Sequence, residues 1–156
     1  RHRVFFSGDT GLTTQYDEIR QRLGPFDLVM LEVGAFHPSW GDIHLGPDNA
    51  VQALKLLGGG AFLPIHWGTF SLALHDWDQP VERLLELAPS NDLQLVMPRL
   101  GEAVEPSRVD GVQPWWRAAS TPDPAACRVL PKRREAAPKD ADAEPALPKS
   151  MPWPLD

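Results

Sequence analysis

The tetrapeptide Leu28-Val29-Met30-Leu31 is an unbroken apolar run between Asp27 and Glu32. With no polar alternation it reads as a strand, Asp27 to Val33, buried on both faces, and such strands belong to parallel sheets covered by helices. The neighbouring segments follow the same scheme. Arg3-Val4-Phe5-Phe6-Ser7 is β-branched and aromatic and reads as a buried strand ending in Gly8-Asp9-Thr10-Gly11. Thr13 or Thr14 can cap a helix whose Tyr16, Ile19 and Leu23 share a face, and Gly24-Pro25 stops it. After a loop over 34–46, Pro47 opens a helix with Val51, Leu54 and Leu57 on one side, and Gly58-Gly59-Gly60 ends it. Ala61 to Ile65 is the third strand, with Pro64 placed where the ladder needs no donor. A helix from Pro80 to Leu87 and a fourth strand, Leu93 to Met97, complete the series. Strand and helix in strict alternation predict an α/β fold.

The pattern breaks near position 106. Ten of the seventeen prolines lie beyond residue 105, apolar residues become sparse, and the acidic excess of the first part disappears. The chain is therefore expected to comprise a folded part, 1–106, and a Pro/Ala-rich, largely irregular tail, 107–156, with little packed structure after Trp115-Trp116. Lys132-Arg133-Arg134 in that tail reads as a solvated run. The net charge of −6 argues against nucleic acid as a partner, because phosphates require clustered Lys and Arg. No window approaches the ~20 apolar residues of a membrane span, and no signal peptide is visible at the start. Cys127 stands alone, so no intramolecular disulfide forms, and a reducing, cytoplasmic location is expected. The chain opens on Arg1, two residues before strand-like sequence, and is expected to be cut from a longer polypeptide.

In open α/β sheets, polar groups just past the carboxyl ends of strands converge on one edge, where ligands bind. Asp9 follows the first strand, His44 lies in the loop after the second, and His66 follows the third. Carboxylate and imidazole together suit a borderline metal such as zinc. Each residue also has a plainer reading, Asp9 as a turn or cap residue and His66 as a satisfied, partly buried histidine. Other motifs carry less. Gly58-Gly59-Gly60 follows a helix and precedes a strand, the reverse of a phosphate-cradling loop, and His75-Asp76 with Asp78 reads as a solvated loop. No Gly-x-Ser-x-Gly elbow is present, which removes the usual serine nucleophile.

The phrases around these residues resemble the second half of a metallo-β-lactamase-fold hydrolase, in the branch of N-acylphosphatidylethanolamine phospholipase D. They are Phe5-Phe6-Ser7-Gly8-Asp9-Thr10-Gly11, Gly24-Pro25-Phe26-Asp27-Leu28, Glu32-Val33-Gly34-Ala35-Phe36 with Pro38, Trp40, His44 and Pro47, and Ile65-His66-Trp67-Gly68-Thr69-Phe70. The resemblance covers about Val4 to Pro106. It implies the C-terminal half of an αββα sandwich and a site for two Zn2+ ions, with Asp9 touching both and His66 bound to one, at ~2.0–2.2 Å. The implied reaction is hydrolysis of a phosphodiester by metal-activated hydroxide, with a phospholipid such as N-acylphosphatidylethanolamine as substrate. His44 would hydrogen-bond a phosphate oxygen or assist the leaving group. Trp40, Trp67 and Phe70 would wall the substrate, although ordinary packing is their commoner role.

The family's His-x-His-x-Asp-His sequence occurs nowhere in these residues. Asp9 and His66 supply two contacts where a dinuclear centre needs about six or seven. The missing N-terminal half of the domain is then an obligatory partner, and the chain by itself is expected to be inactive and to bind zinc weakly at most. Two rival readings remain: a lactonase-like or other phosphodiesterase of the same fold, and a non-catalytic half-domain without metals. Peripheral membrane contact is left open, and no basic amphipathic helix argues for it.

Overall fold

A computed structural model of the 156-residue chain describes residues 1–119. Three strands, β1 (Val4–Phe6), β2 (Leu28–Glu32) and β3 (Ala61–Ile65), form a parallel sheet in that spatial order. Helix α1 (Gln15–Leu23) joins β1 to β2, and α2 (Gly46–Leu56) joins β2 to β3. Helices α3 (Gln79–Asn91) and α4 (Trp115–Ala119) follow. The architecture is α/β, as expected, and each crossover carries the helix that parallel pairing requires.

The register explains the core. Phe5, Val29 and Phe62 lie side by side across the sheet, and Leu31 sits beside Pro64. Val29, Leu31 and Phe62 are wholly buried against Tyr16 of α1, Val51 and Leu54 of α2, and Val81 and Leu84 of α3. At about 1.5–3 kcal/mol for each large side chain removed from water, this face supplies most of the favourable energy. The opposite face is different. Leu28 and Met30 are only half-buried, and Val4 and Phe6 are 52% and 63% exposed. The expectations that β1 is a buried strand and that β2 is buried on both faces are thus corrected: among the described residues the helical layer covers one face. Phe5 alone of β1 turns inward, against Tyr16 and Phe26 at 6.1 and 5.5 Å between ring centroids.

The fourth strand expected at Leu93–Met97 is reduced to a single parallel bridge between Phe62 and Leu95. Phe62 N–H donates to Gln94 O and Val96 N–H to Phe62 O, both at 2.8 Å. The next rung would require an N–H from residue 64, and Pro64 has none. On its other side β3 pairs with β2 along all five residues, so the proline's missing donor falls on the side where pairing ends.

Helix ends follow their expected signals. Thr13 Oγ1 accepts from Gln15 N–H at the start of α1, and Gly24 N–H closes its end on Arg20 O. Gly58 and Gly59 donate to Lys55 O and Leu54 O after α2, confirming the triglycine as a helix stop. Packing runs on past the composition break at 106, through α4, where Trp116 is wholly buried. The irregular structure expected after the tryptophan pair concerns residues 120–156, which lie outside the described residues.

Candidate metal centre

The ladder carries the first strand one residue beyond β1, since Ser7 N–H donates to Met30 O at 3.0 Å. Gly8 then turns the chain with φ +59°, and Asp9 stands at the sheet's carboxyl edge with its side chain 70% exposed. On the far side, Val33 N–H donates to Ile65 O at 3.0 Å, which draws the ends of β2 and β3 together. A Cβ on Gly34 would lie 2.0 Å from His66 O, so only glycine permits this approach. His66 itself has φ +65°, a left-handed conformation that costs a non-glycine residue about 1 kcal/mol or more.

The structure brings Asp9, His44 and His66 together. Asp9 Oδ1 lies 3.7 Å from His66 Nε2, and the rings of His44 and His66 stack with centroids 5.2 Å apart. Beneath them lies Glu32, the last residue of β2 and the buried charged side chain among the described residues. Its Oε1 accepts from Thr10 N–H at 2.8 Å and Leu45 N–H at 3.2 Å, and its Oε2 lies 2.6 Å from His44 Nδ1. A carboxylate out of water costs several kcal/mol unless donors surround it. Here three do, one from the Asp9 loop and two from the His44 loop.

An ionised carboxylate only accepts, so with Glu32 ionised His44 Nδ1 is the donor in that contact. His66 Nδ1 faces the same oxygen at 3.4 Å but makes no hydrogen bond, and it is buried. Glu32, His44 and His66 place one ligand-type atom each within 4.8 Å of one another. Since the oxygens of Glu32 already hold N–H groups, the outward pair, Asp9 Oδ1 and His66 Nε2, fits a metal better. Two ligands about 2.1 Å from one tetrahedral ion are about 3.4 Å apart, close to the 3.7 Å observed.

The three aromatic residues expected at a substrate wall lie in different settings. Trp67 packs on Trp115 and Trp116 at 5.8 and 5.5 Å and donates its Nε1–H to Pro64 O at 3.0 Å. Together with His66, Met97, Pro98, Leu100 and Trp115, it also lines a cavity of about 420 Å³. Trp40 leans on the His37 ring at 6.0 Å, and Phe70 is 70% exposed. His75 stacks on Phe36 at 4.6 Å, away from a purely solvated setting.

Glu32 is the residue that the strand-end argument passes over. Its signal was present, a single charge closing an otherwise apolar strand, but spacing along the chain does not say that three loops bend back to meet it.

Parallel strands, a helical layer and an Asp–His–His edge make an α/β scaffold with a candidate metal site at its carboxyl edge. Residues 1–67, which include Asp9, Glu32, His44 and His66, match the model described as Beta-lactamase superfamily domain. The chain is similar to an uncharacterized protein of Mycobacterium tuberculosis, at 44% identity over 119 residues, covering 74% of this chain and 32% of that protein. It is also similar to the N-acyl-phosphatidylethanolamine-hydrolyzing phospholipase D 1 of Caenorhabditis elegans, at 34% identity over 113 residues, covering 67% of this chain and 32% of that protein. Among solved structures, an isothiocyanate hydrolase from Delia radicum gut bacteria superposes with TM-score 0.50 at 24% identity, covering 64% of this chain and 37% of that one, a likeness of fold. The chain spans about a third of the length of the curated relatives it matches.

Proposed function

We propose that this chain supplies part of the active centre of a zinc-dependent phosphodiesterase acting on N-acylated glycerophospholipids. The observation that carries the reading is the convergence of Asp9, His44 and His66 on one edge of the sheet, from loops far apart in sequence. The 34% identity to a phospholipase D of that named specificity supports the substrate class.

Asp9 Oδ1 and His66 Nε2 would hold metal, with further ligands contributed from outside residues 1–156. Bound zinc would supply an activated water and stabilise charge developing on the phosphoryl oxygens. The chain's own residues do the rest. His44, donating Nδ1–H to Glu32, keeps Nε2 for the substrate, where a proton on Nε2 would be donated to a phosphoryl oxygen or to the oxygen of the departing alcohol. Water oxygen bonds to phosphorus, the phosphorus–oxygen bond to the alcohol breaks, and the alcohol leaves with a proton. The cavity beside His66 and Trp67, mostly apolar in its lining, suits a hydrocarbon portion of the substrate.

Incubating the full-length protein with vesicles containing N-acylphosphatidylethanolamine tests this. Release of N-acylethanolamine that a chelator abolishes and zinc restores is the expected result. No release at full zinc occupancy would remove the lipid assignment, and a protein without stoichiometric metal would favour a non-catalytic role.

A further inference from the structure

We propose that Glu32 is a positioning residue for the hydrolysis, fixing the tautomer of His44 and joining its loop to the loop of Asp9. The inference rests on the reading of Asp9, His44 and His66 as a hydrolytic centre and adds a fourth residue that does not touch substrate. At 0% exposure Glu32 has no solvent to satisfy its oxygens, so its contacts are obligatory. Oε1 takes the two backbone amides, Thr10 N–H next to Asp9 and Leu45 N–H next to His44. That oxygen ties the loops together. Oε2 is spent on His44 Nδ1 at 2.6 Å, a short charge-assisted contact that requires the proton to sit on Nδ1.

The division of labour between the two oxygens separates positioning from plain anchoring. Anchoring needs only Oε1, and a glutamine of the same shape could retain it. Orientation of His44 needs an acceptor at Oε2, and a glutamine that turns its NH2 toward Nδ1 would force the proton onto Nε2. A ring that accepts at Nδ1 cannot hold a second proton, so it would have none to give up to the departing alcohol and would lose the orientation that Oε2 imposes. A carboxylate behind an imidazole, selecting its tautomer and ring orientation, is a general device of hydrolytic and metal sites.

The first measurement needs no substitution. Long-range ¹H–¹⁵N correlation spectra of the metal-free, full-length protein, with His44 assigned by its loss in H44Q, should show Nδ1 protonated. A neutral His44 with bare Nδ1 would overturn the proposal. In E32Q the proton is expected to move to Nε2, with kcat lower by about 10- to 100-fold while KM and zinc content stay as in the wild type. Loss of zinc stoichiometry in E32Q would make Glu32 a ligand instead, and would overturn the positioning role. Combining E32Q with H44Q should cost no more than H44Q alone, since both act through one imidazole; fully additive losses would also overturn it. Wild-type turnover in H44Q would sink the underlying reading of the centre, an outcome distinct from the others.

Discussion

At the carboxyl edge of the sheet a buried carboxylate gathers loops, whereas beneath α3 and α4 three indoles do the equivalent work. Glu32 holds its neighbours through N–H donors and leaves two histidines stacked over it. In the other region Trp116 is wholly buried against Trp67, with Trp115 beside them, and only the fringes are polar. Trp116 Nε1–H donates to Glu82 Oε1 at 2.7 Å, and Arg117 clasps the same carboxylate with Nε and Nη2 at 2.8 and 2.6 Å. Hydrophobic burial fastens the second region at little polar cost. A buried charge is a poor fastener by comparison, because an apolar group of the same volume often stabilises as much. Its retention at the sheet edge, beside a strained His66, supports the proposal that this edge carries the chemistry.

Truncating Trp116 should give the largest effect. W116A is expected to lose about 3–5 kcal/mol in denaturant unfolding, since a whole indole leaves a cavity. A loss under about 1 kcal/mol would mean that α4 is not fastened by this cluster. D9N should sharpen the contrast from the other side. With its side chain 70% exposed, Asp9 contributes little to folding, so D9N in the full-length protein should keep the wild-type melting midpoint. Its turnover is expected to fall by more than about 100-fold, about 2.7 kcal/mol in activation free energy. Equal losses of stability and activity would erase the distinction between the regions.

The smallest effect belongs to the Glu82 clasp and depends on pH. The Arg117 guanidinium, and after it the Trp116 indole, hold the Glu82 carboxyl below its usual range against an opposing push from burial. A carboxylate whose folded value is lowered adds stability that is complete above its unfolded value, near 4.5, and is lost as pH falls through the folded one. R117Q should therefore melt slightly below the wild type at neutral pH, and the two curves should merge as pH falls through the lowered folded value. A gap that widens in acid would contradict the sign.

Much of this molecule is readable from residue order. Apolar runs, glycine stops and prolines at helix starts locate α1, α2, α3 and the three strands, since these signals act between residues a few positions apart. The strand expected at Leu93–Met97 shortens to one bridge because its pairing depends on a donor that Pro64 lacks, a fact about its neighbour in space. The one-sided burial of β1 and β2 has a similar origin, since an apolar run records what a face can bury and not what covers it. At the candidate centre the strand-end rule selects Asp9, His44 and His66 but misses Glu32.

Sequence by itself determined the alternation of strand and helix, and with it the carboxyl edge at which polar groups collect, because backbone pairing and hydrophobic periodicity are local. Tertiary structure alone decided that Thr10, His44 and Leu45 close on one buried carboxylate, and that Trp67 turns toward Trp116. Those contacts join residues 12 to 49 positions apart, where the chain's path through space, and no pattern within it, sets the distance.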